Sequence, residues 1–224
     1  ALFTSSRNAD LVLDRAGVHS DGVAVVARGG DDHRRAISLR DLPATEPLLA
    51  WARDGEALRV SNGGPVRLIV PGWAAEASVK GVTGIELVDR MPDDSPSPDP
   101  ADRRLRPLRE MPPRAVIVSP SEGEVIRPGR RELHGYAWSG HAPIERVAVT
   151  VDGGATWRDA EIVERTGSRG WVVFNFAWIA QPGSVTLAAR ATDAFGLTQP
   201  LDVPDRARGF VHNAVATLPV TVAG

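Results

Sequence analysis

A proline-rich run near the middle of the chain most constrains how it folds. Residues 91–100 contain four prolines, and an arginine-rich stretch follows until Pro112-Pro113. Proline lacks a backbone donor and disfavours helical geometry in the residue before it, so this run holds neither a regular helix nor a central strand. We predict a linker over residues 91–113, in preference to a segment that lies across a cofactor or partner surface. The linker separates two predicted domains, residues 1–90 and residues 114–224.

The composition excludes several classes of protein. The net charge is −2, so nothing general draws the chain to nucleic acid, and we predict no nucleic-acid partner. There is no cysteine, which excludes disulfides, zinc–thiolate sites, iron–sulfur clusters and a cysteine nucleophile. Lys80 is the only lysine among 26 lysines and arginines, a bias that we attribute to codon usage in a GC-rich genome. No apolar run approaches the ~18–20 residues of a membrane span.

Residues 1–90 mix helix and strand signals. Asn8 is placed to cap a short helix that ends at Gly17, and residues 46–53 are predicted to form a second short helix. Strands are predicted at residues 23–26, 66–70 and 85–88. This α+β segment looks incomplete, and the chain opens at Ala1 without a methionine. We therefore expect either that a segment has been removed or that the sequence starts inside a gene.

Residues 114–224 carry strand signals alone. Short runs of β-branched and aromatic residues are separated by turn residues, and about seven such strands are typical of an immunoglobulin-like sandwich. The predicted strands are residues 115–119, 132–138, 145–151, 158–163, 171–178, 185–192 and 214–222.

The third of these strands shows the two-residue periodicity most clearly. The valines of residues 145–151 alternate with Arg146, Ala148 and Thr150, which predicts one buried face and one solvent-exposed (wet) face. Asp152-Gly153-Gly154 then supplies the positive φ angles that a tight hairpin needs. The surrounding run also resembles an Asp-box of sialidase-type propellers, but it occurs once, whereas a propeller would repeat it.

Few residues indicate chemistry by themselves. None of the five histidines stands at metal-ligand spacing, and we predict that Asp31-Asp32-His33 is a polar loop and not a metal site. Gly63-Gly64-Pro65 lets the backbone approach another group closely, and Arg67 then offers a planar fork to a phosphate or carboxylate. Taken alone, this stretch is a turn before a strand.

Several stretches in a shared order resemble the sulfite oxidase family of molybdopterin-dependent oxidoreductases. The first two are similar to the family's His-Gly-x-Pro-Val-Arg and Ser-Val-Lys-Trp signatures. The stretches are residues 63–73 (GGPVRLIVPGW), 77–80 (ASVK), 116–120 (VIVSP), 135–140 (GYAWSG), 152–157 (DGGATW), 189–193 (ARATD), 199–200 (QP) and 213–215 (NAV). The resemblance implies a β-rich α+β fold, in which a partial sulfite-oxidase-type molybdopterin domain precedes an immunoglobulin-like β-sandwich of the dimerisation type.

The resemblance also implies a function and a cofactor. The family oxidises sulfite, or a similar small oxyanion, by oxo transfer at a molybdenum that is held by molybdopterin and one protein cysteine. Two electrons then pass to an acceptor, often a haem or cytochrome. By resemblance we further expect a homodimer, an upstream half of the same protein, and an extracytoplasmic or membrane-associated location. Two alternatives stay open: a diverged, non-catalytic scaffold, and an immunoglobulin-like binding or dimerisation module.

Five residues match cofactor-binding positions of the family. Arg67 and Lys80 match basic positions that line the pterin phosphate and ring. Asp31 and Ser38 match an acidic position and a small polar position near the first strand. Asn62 replaces the histidine of the His-Gly-x-Pro signature and still offers a donor to the cofactor.

The chain also departs from the family pattern. The cysteine that ligates the metal is missing, and no catalytic residue is assigned. Gly81 replaces the tryptophan after the Ser-Val-Lys signature, Asp54 replaces an asparagine, and Ala216-Thr217 replaces a His-Arg pair. We expect this chain alone not to oxidise sulfite, because no other residue supplies the thiolate.

Overall fold

The structure, a computed structural model, divides into two compact units, residues 1–109 and 110–224. It describes residues 5–8 (backbone only), 13, 15–17, 21–92, 110–167, 170–202 and 213–224. Most of the predicted linker, residues 93–109 with its arginines, lies outside the described residues, as do His19 and His212. No helix in the described part of the chain is long and apolar enough to cross a membrane.

The first unit contains two small antiparallel sheets. Its strands are β1 (Ser5–Asn8), β2 (Ala24–Gly29), β3 (Arg34–Ser38), β4 (Leu48–Arg53), β5 (Glu56–Ala57), β6 (Arg67–Ile69) and β7 (Val82–Val88). One sheet has the order β3-β2-β7, and the other has the order β1-β4-β5 with β6 also paired to β4. Besides the helical residues before Gly17, the described helical elements are α1 (Leu42–Thr45) and the 3₁₀ turns η1 (Val60–Asn62) and η2 (Ala75–Ala77).

The core of the first unit lies between these sheets. Residues from β2, β3 and β6 and from the segment after β6 pack together, with Ile37, Leu68 and Val79 almost fully buried. The strands predicted at residues 23–26, 66–70 and 85–88 are confirmed with shifted ends. Such strands are short and apolar enough to be recognised locally, whereas their ends depend on pairing.

The helix predicted at residues 46–53 is wrong, because this segment forms strand β4. Its burial alternates from Ala50 to Arg53, as expected for a strand with one face inward. Backbone pairing with β1 on one side and β6 on the other satisfies its donors and acceptors. Glu46 ends α1 in a left-handed conformation (φ 46°), and Pro47 follows it, which separates the helix from the strand.

The helical stop at Gly17 is confirmed. Leu13, Arg15 and Ala16 are helical, and Gly17 has φ 79° and donates its N–H to the carbonyl of Leu13 at 3.1 Å. Asn8 lies in β1, and the start of the helix falls outside the described residues, so the cap at Asn8 stays a prediction.

The second unit is a sandwich of two sheets. Its strands are β8 (Arg114–Ser119), β9 (Val125–Ile126), β10 (Gly129–Trp138), β11 (Ile144–Thr150), β12 (Arg158–Asp159), β13 (Glu161–Arg165), β14 (Val172–Ala180), β15 (Gly183–Asp193) and β16 (Thr217–Val222). The sheets have the orders β13-β14-β10-β8 and β12-β11-β15-β16-β9. All seven predicted strands are present, the fourth as two pieces, and only the short β9, parallel to β16, has no predicted counterpart.

The sandwich core follows from strict alternation along β14, where Val172, Phe174, Phe176, Trp178 and Ala180 all point inward. Burying such aromatic side chains supplies much of the free energy of folding of a small domain.

The wet face predicted for β11 is wrong in part. Arg146 is exposed, but Ala148 and Thr150 are buried together with Val147 and Val149. Ala148 is small enough to be covered by its neighbours on β12 and β15, and the Thr150 hydroxyl bonds within the following turn.

Candidate anion-binding site

Two cations of the first unit lie opposite each other on neighbouring segments. Leu68 and Val79 form an antiparallel bridge: the Leu68 N–H donates to the Val79 carbonyl at 2.8 Å, and the Val79 N–H donates to the Leu68 carbonyl at 3.0 Å. Antiparallel register therefore places Arg67 opposite Lys80. The two residues are 13 positions apart in the sequence, so the bridge, and not sequence proximity, brings them together.

Gly63 lets the stems of both side chains converge. A Cβ at this position would stand 3.0 Å from Lys80 Cγ and 3.1 Å from Arg67 Cδ. Gly63 also has φ 94°, a conformation that L side chains rarely adopt. The glycine thus forms the floor beneath the two cations, and its carbonyl accepts a hydrogen bond from Gly81 at 3.0 Å.

The charged ends of both side chains reach the backbone of η1. Arg67 Nη1 donates to the Asn62 carbonyl at 3.4 Å, and Lys80 Nζ donates to the Ser61 carbonyl at 3.1 Å. Arg67 Nε is buried and has no hydrogen-bond partner among the described residues. Like charges on opposed residues repel, and a buried donor without a partner is costly. A bound anion would offset the repulsion between the two cations.

Gly64 fixes the loop that carries these carbonyls. A Cβ on Gly64 would lie 2.1 Å from the carbonyl oxygen of Leu58, which is backbone and cannot move aside. Gly64 and Asn62 also donate their N–H groups to the Arg59 carbonyl, each at 2.9 Å. The prediction that Gly63-Gly64-Pro65 permits close backbone approach is therefore confirmed.

The turn between β2 and β3 adjoins this pair, and Asp31 lies in that turn. Asp31 Oδ1 accepts the N–H of His33 at 3.2 Å, as a polar turn residue does. A Cβ on Gly29 would meet both Asp31 Oδ1 and the Lys80 carbonyl at 2.7 Å. The structure thus places Asp31 beside the backbone of Lys80, and its role towards a cofactor stays a prediction.

Ser38 lies at the other end of β3. It lies four positions after Arg34, which corresponds to about 13 Å of strand. Its hydroxyl accepts the N–H of Arg40 at 3.3 Å. The structure therefore does not group Ser38 with the two cations. Asn62 contributes its carbonyl there, and donation by its side chain stays a prediction.

A polar cleft next to η1 gave no signal in the sequence. It is lined by Arg53, Glu56, Ala57, Leu58, Arg59 and Asn62. Its lining contains two arginines and one glutamate and is therefore net positive. Arg53 of β4 and both residues of β5 contribute to the lining, so the wrong helix prediction at residues 46–53 explains why the cleft was not predicted.

Among the described residues of the second unit, a buried aspartate that the sequence did not single out accepts four hydrogen bonds. Asp193 is fully buried, and its Oδ2 accepts Ser139 Oγ at 3.1 Å and His141 Nδ1 at 3.3 Å. Its Oδ1 accepts the N–H groups of Phe195 and Leu197. Because serine and histidine contact the same carboxylate oxygen and Ser139 is buried, this is a structural network and not a nucleophilic triad.

The Asp152 hairpin is structural as well. Gly153 and Gly154 have φ of 72° and 101°, which confirms the predicted turn. Hydrogen bonds from Thr156, and then from Thr150, hold the pKa of Asp152 well below its usual range. The carboxylate is therefore occupied within its own turn. Within the described residues, no three His, Cys, Asp or Glu side chains stand close enough to hold a metal ion.

Comparison with known proteins identifies the family. Residues 4–96 match the oxidoreductase molybdopterin binding domain, and residues 106–222, more than half of the chain, match the Mo-co oxidoreductase dimerisation domain. The chain belongs to the sulfite oxidase family of molybdopterin-dependent oxidoreductases. The basic pair and its glycine floor lie within the first match, and the Asp193 network lies within the second.

Similar proteins agree with this assignment. Sulfite oxidase of Gallus gallus is 30% identical over 188 residues, which are 74% of this chain and 39% of that protein. Mitochondrial sulfite oxidase of Mus musculus is 34% identical over 54% of this chain and 24% of its own length. The crystal structure of the sulfane dehydrogenase SoxCD from Paracoccus pantotrophus has a TM-score of 0.84 and 27% identity, covering 96% of this chain and 59% of that one. The chain thus spans less than two fifths of these sulfite oxidases.

The residues present fit one part of the family's molybdenum cofactor. Arg67 and Lys80, above the Gly63 floor, offer two positive charges and a donor that has no partner in the described part of the chain, which suit the phosphate of molybdopterin. The chain has no cysteine, so it supplies no thiolate to a metal. The fit therefore extends to the anionic end of the cofactor and not to its metal.

Proposed function

We propose that this chain is the part of a sulfite-oxidase-like oxidoreductase that grips the anionic end of molybdopterin and joins two subunits. The whole protein oxidises sulfite, or a similar small oxyanion, by two electrons. The observation that carries the proposal is the convergence of Arg67 and Lys80 on Gly63, with a buried Arg67 donor left unpartnered among the described residues.

The two cations serve different purposes. The guanidinium of Arg67 is planar and presents two donors in fixed directions, so it orients a phosphate as well as attracting it. Lys80 adds a compact charge at the exposed rim of the site. The cofactor, when bound, supplies the two-electron chemistry, and the protein supplies position and charge.

Replacing Lys80 or Arg67 by alanine is expected to weaken phosphate binding about tenfold or more. A hydrogen bond to a charged group contributes about 1.5–3 kcal/mol, and each variant removes one cation. The affinity of the full chain for inorganic phosphate is measured by calorimetry at low salt. Arg28→Ala is the matched control, because Arg28 is an exposed arginine of the same unit that pairs with Glu86 at 2.7 Å. Equal affinities in all four proteins contradict the proposal.

A diverged scaffold without catalysis is the second candidate function. The absent cysteine favours it, together with Gly81 and Ala216-Thr217 at positions where the family has other residues. Mass spectrometry of the natively produced protein separates the two candidates. A longer polypeptide with one cysteine upstream supports the enzyme, and a mature polypeptide that starts at Ala1 supports the scaffold.

The second unit is proposed to form a homodimer through an immunoglobulin-like sandwich. Its match to a dimerisation family supports this, as do exposed apolar side chains such as Trp171 (53% exposed) and Ile179 (60% exposed). Sedimentation equilibrium at tens of micromolar is expected to give the mass of a dimer, since a standard-size interface holds in that range. A monomer at that concentration contradicts the prediction.

We also propose a haem or cytochrome as the electron acceptor.

A further inference from the structure

We propose that Arg35 is a positioning residue that, together with the Leu68–Val79 bridge, holds Lys80 opposite Arg67, an inference that rests on the proposed anion site. Arg35 lies on β3 and is 6% exposed, and a guanidinium is rarely buried without a specific partner. Its partner is Glu76. Arg35 Nε donates to the Glu76 carbonyl at 3.1 Å, and Arg35 Nη2 lies 3.6 Å from Glu76 Oε1.

His33 holds the same carbonyl. Its Nε2 lies 3.2 Å from the Glu76 oxygen. A carbonyl oxygen only accepts, so Nε2 carries the hydrogen, and the two lone pairs of the oxygen accommodate both donors. Two side chains of the β2–β3 hairpin thus fix one backbone position in η2. The carboxylate adds an ion pair to this clamp, while its Oε1 has no hydrogen-bond partner among the described residues.

The backbone between Glu76 and Lys80 has little conformational freedom, so a constraint at Glu76 acts on Lys80. Ala77 and Ser78 donate to the carbonyls of Ala74 and Ala75 and close the 3₁₀ turn. Val79 is fully buried and bridges Leu68 in both directions. Because the clamp at Glu76 and the bridge at Val79 hold neighbouring parts of one short segment, we expect displacement of Glu76 to shift Lys80 relative to Arg67.

The same hairpin holds the chain on the other side of Lys80. Gly30 donates its N–H to the Gly81 carbonyl at 3.0 Å. Because Gly29 has no side chain, the Lys80 carbonyl can lie close to its backbone. A Cβ on Gly29 would be only 2.7 Å from this carbonyl oxygen. The β2–β3 hairpin thus contacts the chain on both sides of Lys80, at Glu76 and at Gly81. Of these two contacts, the one between Arg35 and Glu76 includes an ion pair.

Lys80 is the only lysine, so a lysine-specific isotope label gives one side-chain NMR signal, which reports on the surroundings of Lys80. In protein labelled with ¹³C-lysine, the single Cε–Hε signal follows the ammonium that donates to Ser61. Arg35→Met removes the donors and keeps a long side chain, and Arg28→Met makes the same charge change at an exposed ion pair on the adjacent strand. Arg35→Met is expected to shift the Lys80 signal and to weaken inorganic phosphate binding five- to tenfold, and Arg28→Met to do neither.

A second variant covers the case in which Arg35→Met does not fold. His33 is exposed, and His33→Ala removes one donor to the same carbonyl, so a smaller shift in the same direction is expected. A folded Arg35→Met, or failing that His33→Ala, whose Lys80 signal stays at the wild-type position overturns the proposal. Wild-type protein whose Lys80 signal does not respond to phosphate refutes the anion site instead, and the shift in the absence of phosphate still decides the role of Arg35.

Discussion

Purified from a host that makes the molybdenum cofactor, this chain is expected to contain far less than one molybdenum per polypeptide and to oxidise no sulfite. In this family the metal takes a thiolate from the protein, and a hydroxyl or amide does not replace a soft sulfur ligand. The chain has no cysteine. In the proposed site, Arg67 and Lys80 would contact only the anionic end of the cofactor. Pterin contacts alone are expected to bind weakly, and most of the cofactor is lost during purification.

Elemental analysis and an assay with an artificial electron acceptor test this expectation. A complete sulfite oxidase produced in the same host is the control for cofactor supply. Near-stoichiometric molybdenum together with turnover in the 224-residue chain would show the expectation to be wrong. A chain extended upstream through a cysteine is expected to gain both metal and activity if the enzyme candidate holds, and neither if the scaffold candidate holds.

Asp193→Ala is expected to destabilise the second unit by roughly 3–5 kcal/mol, which is the range for removing one partner of a buried charged network. Asp193 accepts four hydrogen bonds, and their donors are Ser139, His141 and two backbone N–H groups. Its loss leaves the Ser139 hydroxyl and the backbone donors of the turn after β15 without their acceptor, and each buried group costs about 1–3 kcal/mol.

Urea unfolding of the full chain, followed by tryptophan fluorescence, measures this loss. Four of the six tryptophans lie in the second unit, so the signal mainly reports on the sandwich. Asp159→Ala is the matched control, because Asp159 is exposed and pairs with the exposed Arg146. Such a surface pair contributes about 0–1 kcal/mol. Equal unfolding midpoints for the two variants would refute the structural role of Asp193.

The sequence determined those features that depend on neighbouring residues. The strands of the second unit other than β9 were predictable because alternating apolar and polar side chains have the period of a strand. The turn at Gly153 and Gly154 was predictable because few residues other than glycine adopt positive φ. The glycines at positions 63 and 64 gave a similar local signal. The family resemblance then singled out Arg67 and Lys80 as basic positions.

Only the tertiary structure decided which of these residues meet. Residues 48–53 carry apolar side chains in an order that suits a short helix or a strand, and pairing with β1 and β6 selected the strand. The Leu68–Val79 bridge places Lys80 opposite Arg67, whereas the length of β3 keeps Ser38 away. Arg35 gave no local signal, because its partner Glu76 lies 41 residues away. The side-chain partners of Asp193, Ser139 and His141, lie 54 and 52 residues away, and only its two backbone donors are local. Strand register and long-range hydrogen bonds set these distances, and neither is encoded in a short window of sequence.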